Sequence, residues 1–329
     1  MQSLNCGRHW GVILAGGDGE RLRPLTRLIA GDDRPKQFCP LLEGEKTLLE
    51  QTRLRTAKVI PPGQTLYVLT HRHERFYADD LAQVPASRMI VQTANRGTLP
   101  AILCSLARLV KLNGHALDSQ ARDHGEVVGI FPSDHYYSRE RRFIKGVRTA
   151  FEAAEANPNS VILLGAEAKI PETNFGYIEL APEIEGSTER RLAPIGRFWE
   201  KPSLEVARNL VSRGCVWNTF VMVGHLRALL SLVQESVPDI YGAFESMIYG
   251  ASTDDDALAS LYDSIPSADF SKLVLSAGSP RLAVLNLGDV GWSDLGDPQR
   301  LIETLSTHGI QSPWRQIWQE MGIAAVSGQ

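Results

Sequence analysis

The chain has 329 residues, 43% of them hydrophobic and 22% charged, with a formal net charge of −4. That length holds one large α/β domain or two smaller ones around a substantial core, and the acidic balance argues against a nucleic-acid partner, which selects a basic excess. No apolar run approaches the ~20 residues that span a bilayer, Met1 to Arg8 has no apolar signal core, and Cys6, Cys39, Cys104 and Cys215 show no Cys-x-x-Cys spacing, so no membrane and no zinc or disulfide framework is expected, and reduced thiols in a cytoplasm are.

The first predicted element is a strand over Val12 to Leu14, a short β-branched apolar run of the kind buried on both faces. It runs into Ala15, Gly16, Gly17 and Gly19, where backbone amides can approach a phosphate with no Cβ in the way. Arg21 and Arg23 follow at once and Lys36 after a short insertion. A strand, a glycine loop and three cations in line suit a ligand with several phosphates. Such glycines also serve a plain βα turn. Two other phosphate motifs fit poorly: a dinucleotide fingerprint needs glycine where Leu22 sits, and a P-loop needs a Gly-Lys-Ser/Thr that is absent.

Further along, Thr47 to Lys58 reads as a helix, and Thr65 to Thr70 and Met89 to Gln92 as strands. Thr98 reads as the N-cap of a helix with Pro100 in its first turn and Leu99, Ile102, Leu103, Leu106 and Val110 on its apolar face. Glu126 to Phe131 is a buried strand ending at Asp134, Phe143 to Ala154 an amphipathic helix, and Val161 to Gly165 another strand. This alternation predicts an α/β fold with a doubly wound, mainly parallel but mixed, Rossmann-like sheet. Ligands of such sheets bind beyond the carboxyl ends of the strands, so the glycine loop and Asp134 should face one cleft.

From Gly176 the texture changes. Gly176 to Leu180, Ile195 to Glu200, Val216 to Val223 and Leu282 to Leu287 read as strands, with helices over Ser203 to Arg213, His225 to Glu235 and Gln299 to Thr307. They predict an α+β extension of the same sheet that carries the second substrate. The expected organisation is one domain over residues 1–310, with parts of about 1–170 and 171–310, and a C-terminal tail over 311–329. Tyr249 to Ser279 reads as irregular, with Asp254 to Asp256 a solvated turn or helix start. Trp314, Ile317 and Trp318 in the tail suit docking on the core or on a second subunit of a homodimer, and the sequence leaves the two open.

Several side chains carry the chemistry. Asp134 follows an apolar strand, and Asp294 lies far downstream between Trp292 and glycines; each also reads as a turn or helix-capping residue. Two carboxylates completed by phosphate oxygens are what Mg²⁺ favours. Lys201, at a strand end, is placed to neutralise a phosphate and Glu200 to accept from sugar hydroxyls, the plain alternative being an internal ion pair. Asn218 beside Trp217 suits a sugar ring, or a turn beside a buried indole. His71 and His73 read as loop residues with no third ligand in view, and Arg139 to Arg142 as a solvated helix start.

Together, the segments Leu14 to Thr26, Arg34 to Phe38, Asn95 to Thr98, Phe131 to His135, Gly176 to Ile178, Phe198 to Pro202, Val216 to Asn218 and Gly291 to Asp294 resemble the sugar-1-phosphate nucleotidylyltransferases, and within them the mannose-1-phosphate guanylyltransferases. The resemblance implies a nucleotidyltransferase fold and a Mg²⁺-dependent exchange. In it a hexose-1-phosphate and a nucleoside triphosphate give a nucleotide sugar and pyrophosphate. It implies that Ala15, Gly16, Gly17 and Gly19 line the nucleotide, that Gln92 and Gly97 read the base edge, and that Arg21 and Lys36 hold the triphosphate. Asp134 and Asp294 would ligate Mg²⁺; Gly176, Glu200 and Asn218 would bind the sugar and Lys201 its phosphate. The insertion Leu28 to Asp33 lengthens the approach to Lys36, and Ala94 stands where many relatives carry an acid. Alternatives are a glucose-1-phosphate uridylyl- or thymidylyltransferase, a catalytically silent nucleotide-sugar sensor and, more distantly, an NAD-dependent dehydrogenase.

Overall fold

The computed structural model describes residues 8–113, 125–181, 192–250 and 255–320. The expectations about a signal core, Cys6, Asp254 and the last nine positions of the tail therefore lie wholly or largely outside the described residues. The first half of the chain runs β1 (His9–Leu14), α1 (Arg23–Ala30), α2 (Leu48–Thr56), β2 (Thr65–Thr70), α3 (Glu74–Tyr77), β3 (Met89–Gln92), α4 (Thr98–Leu112), β4 (Val127–Pro132), β5 (Tyr136–Tyr137), α5 (Glu140–Ala156) and β6 (Val161–Glu167). The second half runs β7 (Gly176–Leu180), β8 (Leu192–Glu200), α6 (Leu204–Ser212), β9 (Val216–His225), α7 (Leu226–Ser236), α8 (Pro238–Tyr249), α9 (Asp255–Ser264), β10 (Leu282–Asn286), β11 (Trp292–Ser293), α10 (Pro298–His308) and α11 (Trp314–Glu320).

Among the described residues nine strands form one mixed sheet in the order β3-β2-β1-β4-β9-β6-β10-β8-β7, and β5 and β11 make a small antiparallel pair. The first four strands are parallel, with β1 flanked by β2 on one side and β4 on the other. Consecutive crossovers that part company around β1 open a crevice at its carboxyl end. β9 then runs antiparallel to both β4 and β6, which brings its start, Val216 to Asn218, back toward the end of β4. That antiparallel strand is what carries second-half residues into the crevice made by the first half. β9 is also irregular: Thr219 to Val221 stand opposite Leu164 alone, because the register passes from Leu163–Met222 to Gly165–Asn218. Phe220 takes φ +59 at this bulge, and the Asn218 side chain accepts from the Phe220 amide at 3.1 Å.

The core follows the apolar patterning. α4 is buried along nearly its whole length, with Leu99, Ile102, Leu103 and Leu106 fully enclosed. Its outer cover is α8, a helix absent from the predicted elements, whose Tyr241, Phe244 and Ile248 pack into the same core. The stretch expected to be irregular holds α9 and a π-helical turn over Ser271–Leu275, which pack Leu258, Tyr262, Phe270 and Val274 against the sheet. Thr98 does not cap α4: Gly97 holds that position, and the Thr98 hydroxyl accepts from the Phe270 amide at 2.8 Å. The expected capping group is recruited across 172 residues, a pairing that local pattern cannot show.

The tail docks on its own chain. Trp314 and Trp318 are 5% and 4% exposed, packed with Leu22, Leu25 and Leu41, and the Trp314 indole donates to the Leu41 carbonyl. Burying a large apolar side chain contributes about 1.5–3 kcal/mol, so the two indoles offset part of the entropy lost in ordering this helix. Ile317 stays half exposed. Among the described residues no helix is long and apolar enough to cross a membrane.

Candidate active site

The glycine loop after β1 is held by its carbonyls. The Gln37 amide donates to the carbonyls of Ala15 at 3.0 Å and Gly17 at 2.7 Å, and the Thr70 hydroxyl donates to that of Gly16 at 2.9 Å. Among the described residues no protein acceptor takes the amides of Gly16, Gly17 or Gly19, which leaves them available to an anion. Gly19 sits at φ +60, and a Cβ there would stand 2.9 Å from the Lys36 amide. Only glycine suits both that backbone and that approach. Asp18 clamps the loop tip from outside, accepting from Arg72, from Asn95 at 3.1 Å and lying 3.3 Å from the His73 ring. His71 and His73 are thus not loop residues but a 3-10 turn, Arg72 within it gripping the glycine loop.

A cavity of about 380 Å³ opens beside this loop, lined by Gly16, Gly17, Gln92, Gly97, Ser133, Asp134, His135, Phe220 and Asp269. Gln92 is buried and locked, donating to the Leu69 carbonyl at 3.1 Å and accepting from the Tyr262 hydroxyl at 2.8 Å. Burial pushes the Tyr262 phenol far up, so it stays a donor. Gly97 has φ +88 and a Cβ there would meet the Ala268 carbonyl at 2.4 Å. Asp269 thus lines this pocket while Tyr262 and Ala268 stand behind Gln92 and Gly97, roles that no sequence signal announced.

Lys36 is the junction of the site. Its ammonium donates to the carbonyls of Asp294 and, at 3.2 Å, Leu295, and lies 3.2 Å from Asp134 Oδ2. The insertion before it is no obstacle, because it is folded back by the pairs Arg27–Asp33 and Arg34–Asp32. Asp294 Oδ1 accepts from Arg300 at 2.8 Å and from the Gly296 amide at 2.9 Å. Burial raises the Asp294 carboxyl, but the adjacent Lys36 and Arg300 cations outweigh it and hold the group below its usual range. Asp294 is not the cap of the closing helix; Asp297 is, accepting from the Arg300 amide at 2.9 Å. His135 accepts from the Trp292 indole at Nδ1, 3.2 Å away, and burial depresses its pKa. It is therefore neutral with its proton on Nε2, which lies 3.8 Å from Asp134 Oδ1.

Arg21 lies on the 3-10 turn Glu20–Leu22 just behind the glycine loop. Its neighbour Leu22 packs in the same apolar cluster as Leu295, the residue after Asp294. Among the described residues its guanidinium makes no hydrogen bond or ion pair, and it lies outside the cavity wall just described. It is an unspent cation beside the loop.

The remaining candidates gather where β7, β8 and β9 meet. Gly176 pairs with Glu200 across β7 and β8, and the β7–β9 register, continued one step from Tyr177–Trp217, sets Gly176 opposite Asn218. Lys201 adopts φ +47, its amide donates to the Phe175 carbonyl at 3.1 Å, and its ammonium is 3.7 Å from Glu200. Burial raises the Glu200 pKa and Asp269 adds to the rise, with Lys201 opposing.

Asp134 and Asp294 fit a divalent ion as a donor set. Both are hard carboxylates, each about a quarter exposed; Lys36 pairs with the Asp134 carboxylate and with the backbone carbonyl of Asp294, whose own carboxylate pairs with Arg300. Among the described residues no group of three or more His, Cys, Asp or Glu side chains is arranged to hold a metal ion by itself. An ion here would take two carboxylates and fill its shell with water and phosphate oxygens, the pattern of Mg²⁺.

The sequence has known relatives. It is 31% identical over 307 residues to the mannose-1-phosphate guanylyltransferase ManC of Salmonella typhimurium, a match covering 90% of this chain and 59% of that protein. It is 30% identical to the mannose-1-phosphate guanylyltransferase of Escherichia coli, with the same coverage. The chain thus spans about three fifths of the length of these curated relatives. A solved structure from Thermus thermophilus, described as mannose-1-phosphate geranyltransferase, superposes with a TM-score of 0.76 at 29% identity, covering 93% of this chain and 80% of that one. Residues 10–308 match the family model described as nucleotidyl transferase. With that match running from β1 through α10, the chain belongs to the nucleotidyl transferase family.

Proposed function

We propose that this chain transfers a guanylyl group from GTP to mannose-1-phosphate, giving GDP-mannose and pyrophosphate. One observation carries the reading: Lys36 ties Asp134 to the Asp294 turn at the mouth of the glycine-loop cavity. The curated relatives named for this activity support the choice of substrates. The nucleoside lies in the cavity with Gln92 and Gly97 at its base end, and its phosphates run along the free amides of Gly16, Gly17 and Gly19. The sugar rests against Gly176, Glu200 and Asn218, with Lys201 on its phosphate.

The physical problem is repulsion between two polyanions. Two unit charges at 4 Å interact by about 4 kcal/mol at an effective dielectric near 20, and several such terms oppose approach. Arg21, Lys36 and Lys201 offset them, Lys36 trading its contact with Asp134 for a phosphate oxygen. The attacking group is already an anionic phosphate oxygen, so no general base is needed and catalysis is positioning and charge stabilisation. When bound, Mg²⁺ held by Asp134 and Asp294 neutralises phosphate charge.

The reading is tested by pyrophosphate release with each nucleoside triphosphate against each hexose-1-phosphate, with and without Mg²⁺. Release with GTP and mannose-1-phosphate supports it; preference for UTP or dTTP with glucose-1-phosphate replaces it, and no release in any combination points to a sensor. Lys201→Ala is expected to raise the KM of the sugar phosphate about tenfold, roughly the 1.4 kcal/mol of one charge-assisted contact, with the nucleotide KM unchanged. Equal losses for both substrates would refute its role.

A further inference from the structure

Arg300 and Glu172 belong to none of the motifs discussed above, yet they meet beside Asp294. Arg300 lies in the first turn of α10 with its side chain 12% exposed. One terminal nitrogen donates to Asp294 Oδ1 at 2.8 Å, the other to Glu172 Oε2 at 2.9 Å, and the guanidinium stands 4.4 Å from the centre of the Phe175 ring. Both hydrogen bonds to the Asp294 carboxylate, from Arg300 and from the Gly296 amide, fall on Oδ1. Oδ2 has no partner among the described residues. The carboxylate is thus turned by one oxygen and left open at the other.

Glu172 is itself fixed. Its amide donates to the Tyr177 hydroxyl at 2.8 Å, and that hydroxyl donates to the Glu172 carbonyl at 2.9 Å. The segment it anchors runs directly into Gly176, and its Phe175 carbonyl holds the Lys201 amide at 3.1 Å. A planar fork with one arm on each carboxylate links the two in a fixed geometry, where a lysine ammonium is a point charge on a flexible stem.

We propose that Arg300 is a positioning residue that, through Glu172, couples the Asp294 carboxylate to the segment presenting Gly176 and Lys201 to the sugar phosphate. This rests on the reading of the site given above. Ion and sugar phosphate are then held by one connected unit, and loosening it at either end is felt at the other.

The test uses the full chain as wild type, Arg300→Lys, Glu172→Gln, the double variant and Asp294→Asn. Mn²⁺ affinity is read by water-proton relaxation and substrate KM values by pyrophosphate release. Arg300→Lys is expected to weaken Mn²⁺ by about 10–100-fold, the usual effect of removing a group that orients a metal ligand, and to raise the sugar-phosphate KM with the nucleotide KM unchanged. Glu172→Gln keeps shape and loses charge; it should move both readouts in the same direction. The double variant should be no worse than Arg300→Lys, the non-additivity of partners in one network. A lowered melting temperature with unchanged Mn²⁺ affinity and KM would make this a structural ion pair and overturn the coupling. If Asp294→Asn weakens Mn²⁺ and Arg300→Lys does not, the coupling alone falls. If Asp294→Asn also leaves Mn²⁺ binding unchanged, the metal site falls and takes the coupling with it.

Discussion

Asp134→Asn lowers kcat by roughly three orders of magnitude, about 4 kcal/mol of barrier at 1.36 kcal/mol per tenfold, while the melting temperature hardly moves. The substitution keeps the shape at the end of β4 and removes only the charge. Lys36 is not stranded, because the carbonyls of Asp294 and Leu295 still accept from its ammonium. The fold therefore has little reason to suffer. What is lost is a hard anionic ligand in the donor set that best fits Mg²⁺. Steady-state kinetics beside a thermal melt check both halves. A variant with near-normal turnover would remove Asp134 from the metal site.

Lys36→Met produces a different pattern: kcat falls by roughly 10²–10³-fold, the usual cost of removing one preorganised charge-stabilising group, and stability falls as well. Here a charge is left behind. Asp134 loses its counterion and two carbonyls lose their donor in a turn where Leu295 already sits at φ +47. Breaking a buried pair costs about 3–5 kcal/mol; Asp134 keeps about a quarter of its surface in water, so a loss of about 2–3 kcal/mol is expected. Adding Asp134→Asn should restore most of that stability and none of the activity. Denaturant melts of the two single variants and the double give the answer. Recovery of turnover in the double variant would show that Lys36 serves the fold alone.

These two residues also mark what was legible in the chain. The strands Thr65 to Thr70, Met89 to Gln92 and Gly176 to Leu180 coincide with their predicted spans, since β-branched apolar runs between turn residues declare themselves locally. Ser203 and Thr47 cap their helices at the start of the predicted spans for the same reason. Tyr249 to Ser279 reads as irregular because its helical turns carry a weak periodicity. Their apolar residues answer to the far side of the core and to the Asn95–Thr98 loop. His73, expected in a loop, is buried against Asp18, a partner 55 positions earlier.

By itself the sequence determined the strand–glycine-loop entry, the order of most strands and helices along the chain, and a set of charged and polar residues whose motifs carry the family resemblance. Tertiary structure alone decided how they meet. β9 runs antiparallel to β4, which brings Asn218 back toward Asp134; Lys36 finds the Asp294 turn 258 residues away, and Arg300 links that turn to Glu172. Local spacing dictates backbone conformation through sterics and turn chemistry, which act over a few residues. Charge partners are chosen by which strand ends the sheet topology makes neighbours, and no short-range pattern encodes that.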